Sequence, residues 1–298
     1  MAKNPSTTSR QRKPFWIILR HISTYLFLTV GVLIAIFPFF WMISTSLMSL
    51  GEAQSTRMIP SEIHLENYAN AWKEANFSLY MWNSTRITLM TLAGELTFSI
   101  LAAYAFARIK FPGRELIFTV LLSTMMIPAM VTIIPNFLTV TWLGRIGPLK
   151  WINNWPALTL PFMGSVFSIF LLRQFFAQIP DELFDAVQMD GGGHLRFLWS
   201  VVLPLSKAPV MVIIVLSFIG TWNALAWPML VTNSPDWRPI AVGLYSFIDE
   251  AGQRLNLMMA GAFIAVIPIL ILYFFTQKQF TESIARSGLK GEKLNSRR

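Results

Sequence analysis

The sequence predicts an all-α membrane protein that crosses the bilayer six times. Hydrophobic residues make up 54% of the 298 residues and charged residues only 13%, whereas soluble domains carry about 25% charged residues. The apolar residues are also grouped into blocks that are nearly free of Asp, Glu, Lys and Arg, and a spanning helix needs roughly 20 such residues. Six blocks are long enough, at positions 21–51, 87–107, 116–141, 151–172, 208–235 and 255–277.

These blocks divide the chain into tails, spans and connections. The first span is expected to be retained rather than cleaved as a signal peptide, because its apolar run exceeds 7–15 residues or so and no small-x-small cleavage site follows it. The predicted parts are a basic tail at 1–21, the first span at 22–46, an extracytoplasmic connection at 47–82 with an amphipathic helix in its second half, a core at 83–277 with the other five spans and a loop at 173–208, and a tail at 278–298.

The distribution of Lys and Arg predicts the orientation of the spans. Seventeen of the 24 basic residues lie on the side of both termini and of the loop 173–208, and the other seven lie on the opposite side. Because cytoplasmic loops are enriched in Lys and Arg, both termini and this loop are expected in the cytoplasm. The net charge of +9 is then explained by topology, and no nucleic-acid partner is predicted.

The most polar part of the core is residues 180–209, called the polar segment below. It carries four carboxylates and a glycine triplet, which are costly within hydrocarbon, and yet it has helix signals. Pro180 suits a first helical turn and Gly191 suits a left-handed helix end. The apolar residues between them exceed what a freely solvated helix needs, so the helix either binds another protein or lies on the bilayer surface as a linker.

The sequence contains no signature of covalent chemistry. It has no GxxxxGK[ST] loop for ATP phosphates, no HExxH and no GxSxG. It has no cysteine, which excludes disulfides and thiolate metal sites, and its three histidines lie far apart in the predicted topology. We therefore predict no catalytic residue, no metal site and no bound cofactor.

Four residues are candidates for a substrate pathway. Glu95 is the one ionisable residue deep within a predicted span, where a carboxylate costs roughly 2.5–3.5 kcal/mol. It should face the bundle interior, either in a translocation pathway or in a hydrogen bond to a neighbouring helix. Asn223, flanked by Trp222 and Trp227, could bind a polyol through its amide and the adjacent rings, although Trp and Asn near a helix end are also ordinary interfacial anchors.

Part of the polar segment, DAVQMDGGGHLRFLWSVVLPLSKAP, resembles the EAA loop of ABC importer permeases. That pattern runs EAA-x-x-DG and, about a dozen residues later, LPL-x-x-P. The corresponding residues are Asp185, Ala186 and Val187 at the EAA positions, and Asp190, Gly191, Leu203, Pro204, Leu205 and Pro209 as direct matches. Asp185 and Val187 depart from the usual Glu and Ala.

Other stretches fit the same family, namely AAYAFARIKFPGR, FLLRQFFAQIP, TWNALAWPML and QFTESIARSGLKG. Together they make the chain similar to the shorter, six-helix permease of maltose and glycerol-phosphate type importers. This resemblance implies a type I ABC importer permease fold in a bacterial or archaeal cell membrane. It also implies a sugar or a related polyol as substrate, a second permease subunit, a cytoplasmic ATPase dimer and an extracytoplasmic sugar-binding protein as partners.

The resemblance also implies a role for the polar segment. Residues 181–190 would be the coupling helix, with Phe184 and Val187 seated in a groove of the ATPase, and the carboxyl tail is similar to tails that reach the ATPase dimer interface. The implied coupling residues are Leu183, Phe184, Asp185, Ala186, Val187, Asp190, Gly191, Leu203 and Pro204.

The alternative class is a secondary transporter that uses Glu95 as its coupling carboxylate. This interpretation leaves the polar segment unexplained and requires more intramembrane charge than one residue. A membrane-embedded enzyme would require catalytic groups clustered at one interface, and the sequence shows no such cluster.

Overall fold

The computed structural model describes residues 14–74, 76–249 and 252–295, and these are almost entirely helical. The α-helices are α1 (Pro14–Ser46), α2 (Leu50–Ala53), α3 (Glu66–Glu74), α4 (Phe77–Arg108), α5 (Arg114–Thr124), α6 (Ala129–Ile146), α7 (Trp155–Thr159), α8 (Val166–Phe176), α9 (Glu182–Met189), α10 (His194–Phe197), α11 (Leu203–Leu205), α12 (Lys207–Trp222), α13 (Ala226–Val231), α14 (Ile240–Tyr245) and α15 (Leu255–Asn295).

Shorter elements connect or interrupt these helices. Leu160–Phe162 and Pro235–Trp237 are 3₁₀ turns, and Leu198–Val202 is a π-helical turn. The two-residue strands β1 (Ile248–Asp249) and β2 (Gly252–Gln253) pair antiparallel, with Ile248 opposite Gln253. The small hairpin does not alter the predicted class, and the all-α class is confirmed.

Five helical stretches are long and apolar enough to cross a membrane. They are Ile18–Ser46, Phe77–Arg108, Ala129–Ile146, Trp155–Phe176 and Leu255–Gln277. His194–Leu205 and Lys207–Trp222 meet at an angle of 79° and make a sixth if they are counted as one broken span. The described residues therefore contain five candidate spans, or six if the bent pair is counted as one.

The predicted block 116–141 differs from the structure because a proline interrupts it. The chain leaves α5 at Thr124, and Pro128 precedes α6 with an extended backbone (φ −60°, ψ 134°). Proline has no N–H group and disfavours the helical conformation in the residue before it. The candidate span consequently begins at Ala129, well after the predicted start.

Helix α4 is the central helix of the core and packs against both α8 and α12. One of its faces buries a stripe of polar side chains spaced three or four residues apart, Ser84, Thr88, Thr91, Glu95 and Ser99. Small hydroxyl residues between membrane helices allow close helix approach and interhelical hydrogen bonds. Two of the five make such bonds, since Ser84 accepts from the Ile240 N–H and Glu95 accepts from serines of two neighbouring helices. Polar contacts at these two positions tie α4 to the rest of the bundle.

The first span has a different environment. It packs against α15, but every side chain from residue 18 to residue 40 is exposed. Such a continuous apolar surface needs cover from lipid or from another chain. This agrees with a helix at the periphery of the protein.

The connection after the first span is anchored by a buried amide. The predicted amphipathic stretch forms α3, and Asn67 at its start donates to the carbonyls of Ser46 and Met48 at 2.9 and 2.8 Å. Asn256 of α15 donates to the Asn67 side chain at 3.1 Å. Through these bonds α3 joins the end of α1 to the start of α15.

An ionised carboxylate stabilises the short helix α2 in the same connection. Hydrogen bonds from the Ser61 side chain and backbone, and from Ser49, lower the pKa of Glu52 to about 2. Glu52 and Ser49 also form a capping box at the first turn. The carboxylate therefore stays ionised at neutral pH.

Candidate functional site

Helix α9 forms the first part of the polar segment and ends at a left-handed glycine. The Gly191 N–H donates to the carbonyl of Gln188 at 2.9 Å, and the Gly192 N–H donates to the carbonyl of Val187 at 2.8 Å. This pair of bonds is a Schellman motif, which requires a left-handed residue directly after the helix. Gly191 supplies it with a φ of +73°. The predicted helix and its glycine end are therefore present.

The inner face of α9 packs on the protein's own core. Phe184 and Val187 lie against a buried cluster that includes Phe197. The Phe184 ring stacks on His194 with centroids 4.7 Å apart and meets Phe197 edge-on at 5.1 Å. Phe184 and Val187, an i, i+3 pair on this face, are half-buried against the protein's own core. Their insertion into a groove of another protein stays a prediction.

The opposite face of α9 is open. Its exposed residues follow the i, i+3, i+4, i+7 spacing of one helix face and are Glu182, Asp185, Ala186 and Met189, with Leu183 at the edge. Met189 is 84% exposed, and Leu195 in the following turn is 68% exposed. Large apolar side chains left this exposed among carboxylates mark a surface suited to binding another protein.

The LPL-x-x-P end of the polar segment forms a sharp bend. The N–H of Leu203 donates to the carbonyl of Leu198 and closes the π-helical turn. Pro204 follows and has no N–H to continue the ladder, and α12 begins at Lys207 with the 79° change of direction. Leu203 packs on the buried cluster while Pro204 is exposed.

Helix α4 contacts the polar segment and the turn that leads into it. Tyr104 and Arg108 are four residues apart and project from the same face of α4. The Arg108 guanidinium, only 9% exposed, donates to the Asp181 carboxylate at 2.5 Å and to the carbonyl of Ile179. The Tyr104 hydroxyl shares a hydrogen bond of 2.8 Å with Nδ1 of His194. Both residues fall in the stretch AAYAFARIKFPGR, where the pattern indicated a family but no such contact.

Glu95 lies where three helices meet. Its carboxylate accepts hydrogen bonds from Ser168 of α8, at 2.6 Å, and from Ser217 of α12, and the residue is 6% exposed. A cavity of about 200 Å³ borders it and is also lined by Ser165 and Leu216. The sequence left open whether Glu95 forms a hydrogen bond to a neighbouring helix or lines a translocation pathway. The hydrogen bond is present, and a role in translocation stays a proposal. The serine partners could not be identified in advance, because several spans contain serines and the sequence does not show which helices pack together.

Replacing Glu95 tests the strength of this contact. We expect Glu95→Leu to lower the free energy of unfolding by about 1–3 kcal/mol, because two serine hydroxyls lose their acceptor. Glu95→Gln retains hydrogen-bonding groups and should change it by less than about 1 kcal/mol. Thermal unfolding of the detergent-solubilised chain measures both, and equal stability of Glu95→Leu and wild type would contradict the expectation.

The other three pathway candidates do not form one site. Trp222 is buried and donates from Nε1 to the carbonyl of Ala265 at 3.0 Å. Trp227 is also buried and donates to the carbonyl of Ala157 at 2.8 Å. Both rings are core residues with satisfied N–H groups. Asn223 is exposed and donates to a carbonyl of its own helix, so the amide does not lie between two exposed rings, and a role of these residues in binding a polyol stays a prediction.

Comparison with known proteins assigns the chain to a family. Residues 95–285 match the family described as binding-protein-dependent transport system inner membrane component. The sn-glycerol-3-phosphate transport system permease protein UgpE of Yersinia enterocolitica is 32% identical over 278 residues, which cover 89% of this chain and 96% of that protein. The protein of the same name from Brucella abortus is 31% identical over 276 residues, covering 88% and 95%.

Solved structures share the fold. A chain of a bacterial ABC transporter that imports the acidic polysaccharide alginate has a TM-score of 0.76 and 24% identity, with 93% of this chain and 99% of that chain covered. A chain of the bacterial alginate ABC transporter in complex with an alginate pentasaccharide-bound periplasmic protein has a TM-score of 0.64 and 14% identity, covering 87% and 94%.

The helical fold, with an exposed helix carried on a polar connection between spans, agrees with the permease class of ABC importers, which the family match and the relatives establish. The chain belongs to the binding-protein-dependent transport system inner membrane component family. It is a multi-pass membrane permease subunit and not an enzyme, so the predicted class is confirmed. Secondary transport through Glu95 finds no support among these relatives.

Proposed function

We propose that this chain forms half of the translocation pathway of an importer and is driven by a separate cytoplasmic ATPase dimer that binds the polar segment. The outward face of α9 carries this proposal, because Ala186 and Met189 are exposed there between Glu182 and Asp185. The chain has no nucleotide-binding loop of its own. A signal from ATP hydrolysis therefore has to enter through a packed contact with another chain.

The coupling residues divide into two groups in this proposal. Those that contact the ATPase are Leu183, Asp185, Ala186 and Met189. Those that fix the position of the helix from inside or at its ends are Phe184, Val187, Asp190, Gly191, Leu203 and Pro204. The division follows from exposure, since the first group faces solvent and most of the second packs on the core or shapes the turns.

An exposed amide on α6 supports a second permease subunit. Asn136 lies near the middle of the candidate span Ala129–Ile146 and is exposed, as is Thr139 on the next turn. An amide that faces hydrocarbon without a partner is costly. A second permease subunit, which would complete the pathway beside this face, supplies a more polar neighbour than lipid.

The substrate class follows from the relatives. Two of them are named for transport of sn-glycerol 3-phosphate, and the chains of similar fold come from importers of alginate. Both compounds carry two or more hydroxyl groups. A sugar or a related polyol compound is therefore proposed here, delivered by an extracytoplasmic binding protein like the periplasmic protein of the alginate complex.

Purification of the tagged chain together with the products of adjacent genes tests the assembly. We expect an ATP-hydrolysing chain and a second permease to copurify. Vesicles that contain the complex and its binding protein should take up labelled sn-glycerol 3-phosphate or an alginate oligosaccharide only when ATP is supplied. Uptake by the chain alone, driven by a proton gradient, would contradict the proposal.

Single-cysteine labelling tests the orientation, and the absence of native cysteine makes it direct. Cysteine in place of exposed Met189 should react with an impermeant maleimide only from the cytoplasmic side, and cysteine in place of exposed Glu66 only from outside. The reverse result at both positions would overturn the topology that both termini are cytoplasmic.

A further inference from the structure

Helix α4 contacts residues that precede α9 in the chain and a residue that follows it. Arg108 binds the turn that leads into α9 through Ile179 and Asp181, and Tyr104 binds the residue that starts α10. The ring of His194 lies between the Tyr104 hydroxyl and the Phe184 ring. Displacing α9 relative to α4 would therefore break the ion pair, together with either the Tyr104–His194 hydrogen bond or the His194–Phe184 ring stack.

The covalent connection from the polar segment into α12 is a weaker mechanical link. It passes through the π-helical turn Leu198–Val202 and the 79° bend before Lys207. Mid-helix departures from α-helical geometry often mark hinges. A displacement of α9 can be absorbed there, whereas α4 has no proline from Phe77 to Arg108 and can move as a rigid rod.

Helix α4 also reaches the centre of the bundle. Arg108 and Glu95 are separated by about 20 Å along its axis at 1.5 Å per residue. At Glu95 the helix is hydrogen-bonded to α8 and α12 through Ser168 and Ser217. A displacement of α4 consequently acts on both neighbouring helices at the depth of the cavity beside Glu95.

We infer that Tyr104 and Arg108 are positioning residues that transmit displacement of the polar segment along α4 to the helices around Glu95. This inference rests on the proposed binding of the ATPase to the outward face of α9. It gives a role to the AAYAFARIKFPGR stretch. The main link between the ATPase and the helix bundle is then the contact of Tyr104 and Arg108 with the polar segment, and not the covalent connection from the polar segment into α12.

The experiment uses the assembled complex and a cysteine reporter. Leu216→Cys places a thiol at the cavity beside Glu95 in a chain without native cysteine, and its maleimide labelling rate is compared with and without ATP and vanadate. The test variant adds Tyr104→Phe and Arg108→Ala. The matched control adds Arg114→Ala, since Arg114 pairs with Glu115 and donates to the carbonyl of Ile109, neither of which belongs to the polar segment.

The reporter and the Arg114→Ala control are expected to show the same ATP-dependent change in labelling rate. In the test variant this change should shrink about five-fold or more, the lower end of typical coupling between sites, while the ATPase still copurifies. His194→Asn, which keeps a polar group near Nδ1, should retain more of the response than His194→Leu.

Two results would overturn the inference. One is an unchanged labelling response in the test variant, or in Tyr104→Phe alone if the double variant does not assemble. The other is no response to ATP in the Leu216→Cys reporter itself, which would mean that the displacement does not reach Glu95. If the double variant loses the ATPase, the labelling response of Tyr104→Phe alone decides. Failure of the proposed ATPase site is detected separately, by intact ATPase binding in variants of Met189.

Discussion

Met189→Lys should release the ATPase from the importer complex. The Met189 side chain is the most exposed large apolar group on the outward face of α9, and a lysine there would carry a charge into the proposed contact. Truncation or disruption of a central contact residue costs about 2 kcal/mol or more, which corresponds to roughly 30-fold weaker binding. The ATPase retained on the tagged complex at falling concentration measures the effect. ATP-dependent uptake should fall with it.

Gln188→Lys is the matched control for this change. It adds the same charge one position earlier on the same helix, at another exposed residue, but leaves the apolar side chain of Met189 in place. Asp185→Lys, which reverses a charge on the outward face, should weaken binding in the same direction as Met189→Lys. If Met189→Lys and Gln188→Lys retain equal amounts of ATPase, the outward face of α9 is not the binding surface.

The ends of α9 could be predicted from sequence because local chemistry determines them. Proline before a helix and glycine after it act through backbone geometry that involves few neighbours. The direction in which α9 presents its residues could not be predicted in the same way. The inner position of Phe184 and Val187 depends on Phe197 and His194, which follow in the chain and are brought against α9 by the turn at Gly191.

The pathway candidates show the same limit in a different form. A buried carboxylate in a span requires partners, and that requirement correctly placed Glu95 in the bundle interior. The identity of the partners depends on which helices pack together, since Ser168 and Ser217 are 73 and 122 positions away. In the sequence, Trp222 and Trp227 flank the amide of Asn223 and could form a site with it. In the structure, their indole N–H groups donate to carbonyls of distant helices.

Span boundaries were predictable where the helix continues through the whole apolar block. The block 255–277 coincides with the candidate span Leu255–Gln277, although its helix contains Pro268, whereas the block 87–107 omitted the first ten residues of Phe77–Arg108. Hydropathy alone does not predict that Pro128 separates α5 from α6. Proline hardly changes the hydropathy of an apolar run, but it has no N–H group and therefore removes a backbone hydrogen bond of the helix.

Gly191→Val should uncouple the importer without affecting insertion of its spans. A valine at the φ of +73° found here costs about 1–2 kcal/mol in the left-handed conformation, and the Schellman bonds that end α9 would no longer be favoured. The helix is then expected to extend or tilt, which moves Met189 and Ala186 away from their present orientation. We expect reduced ATPase copurification and loss of ATP-dependent uptake, with unchanged amounts of chain in the membrane.

Gly193→Val separates this conformational effect from the effect of added bulk. Gly193 has an extended backbone with a φ of −104° and a ψ of −171°, and a Cβ there, as at Gly191, would meet no atom within 4 Å. Valine is therefore expected to be tolerated at 193 and harmful at 191, while Gly191→Asn should be intermediate because asparagine adopts the left-handed conformation more readily. Equal and full ATPase binding and uptake in Gly191→Val and Gly193→Val would show that the end of α9 does not control coupling, and the polar segment would then be a surface linker.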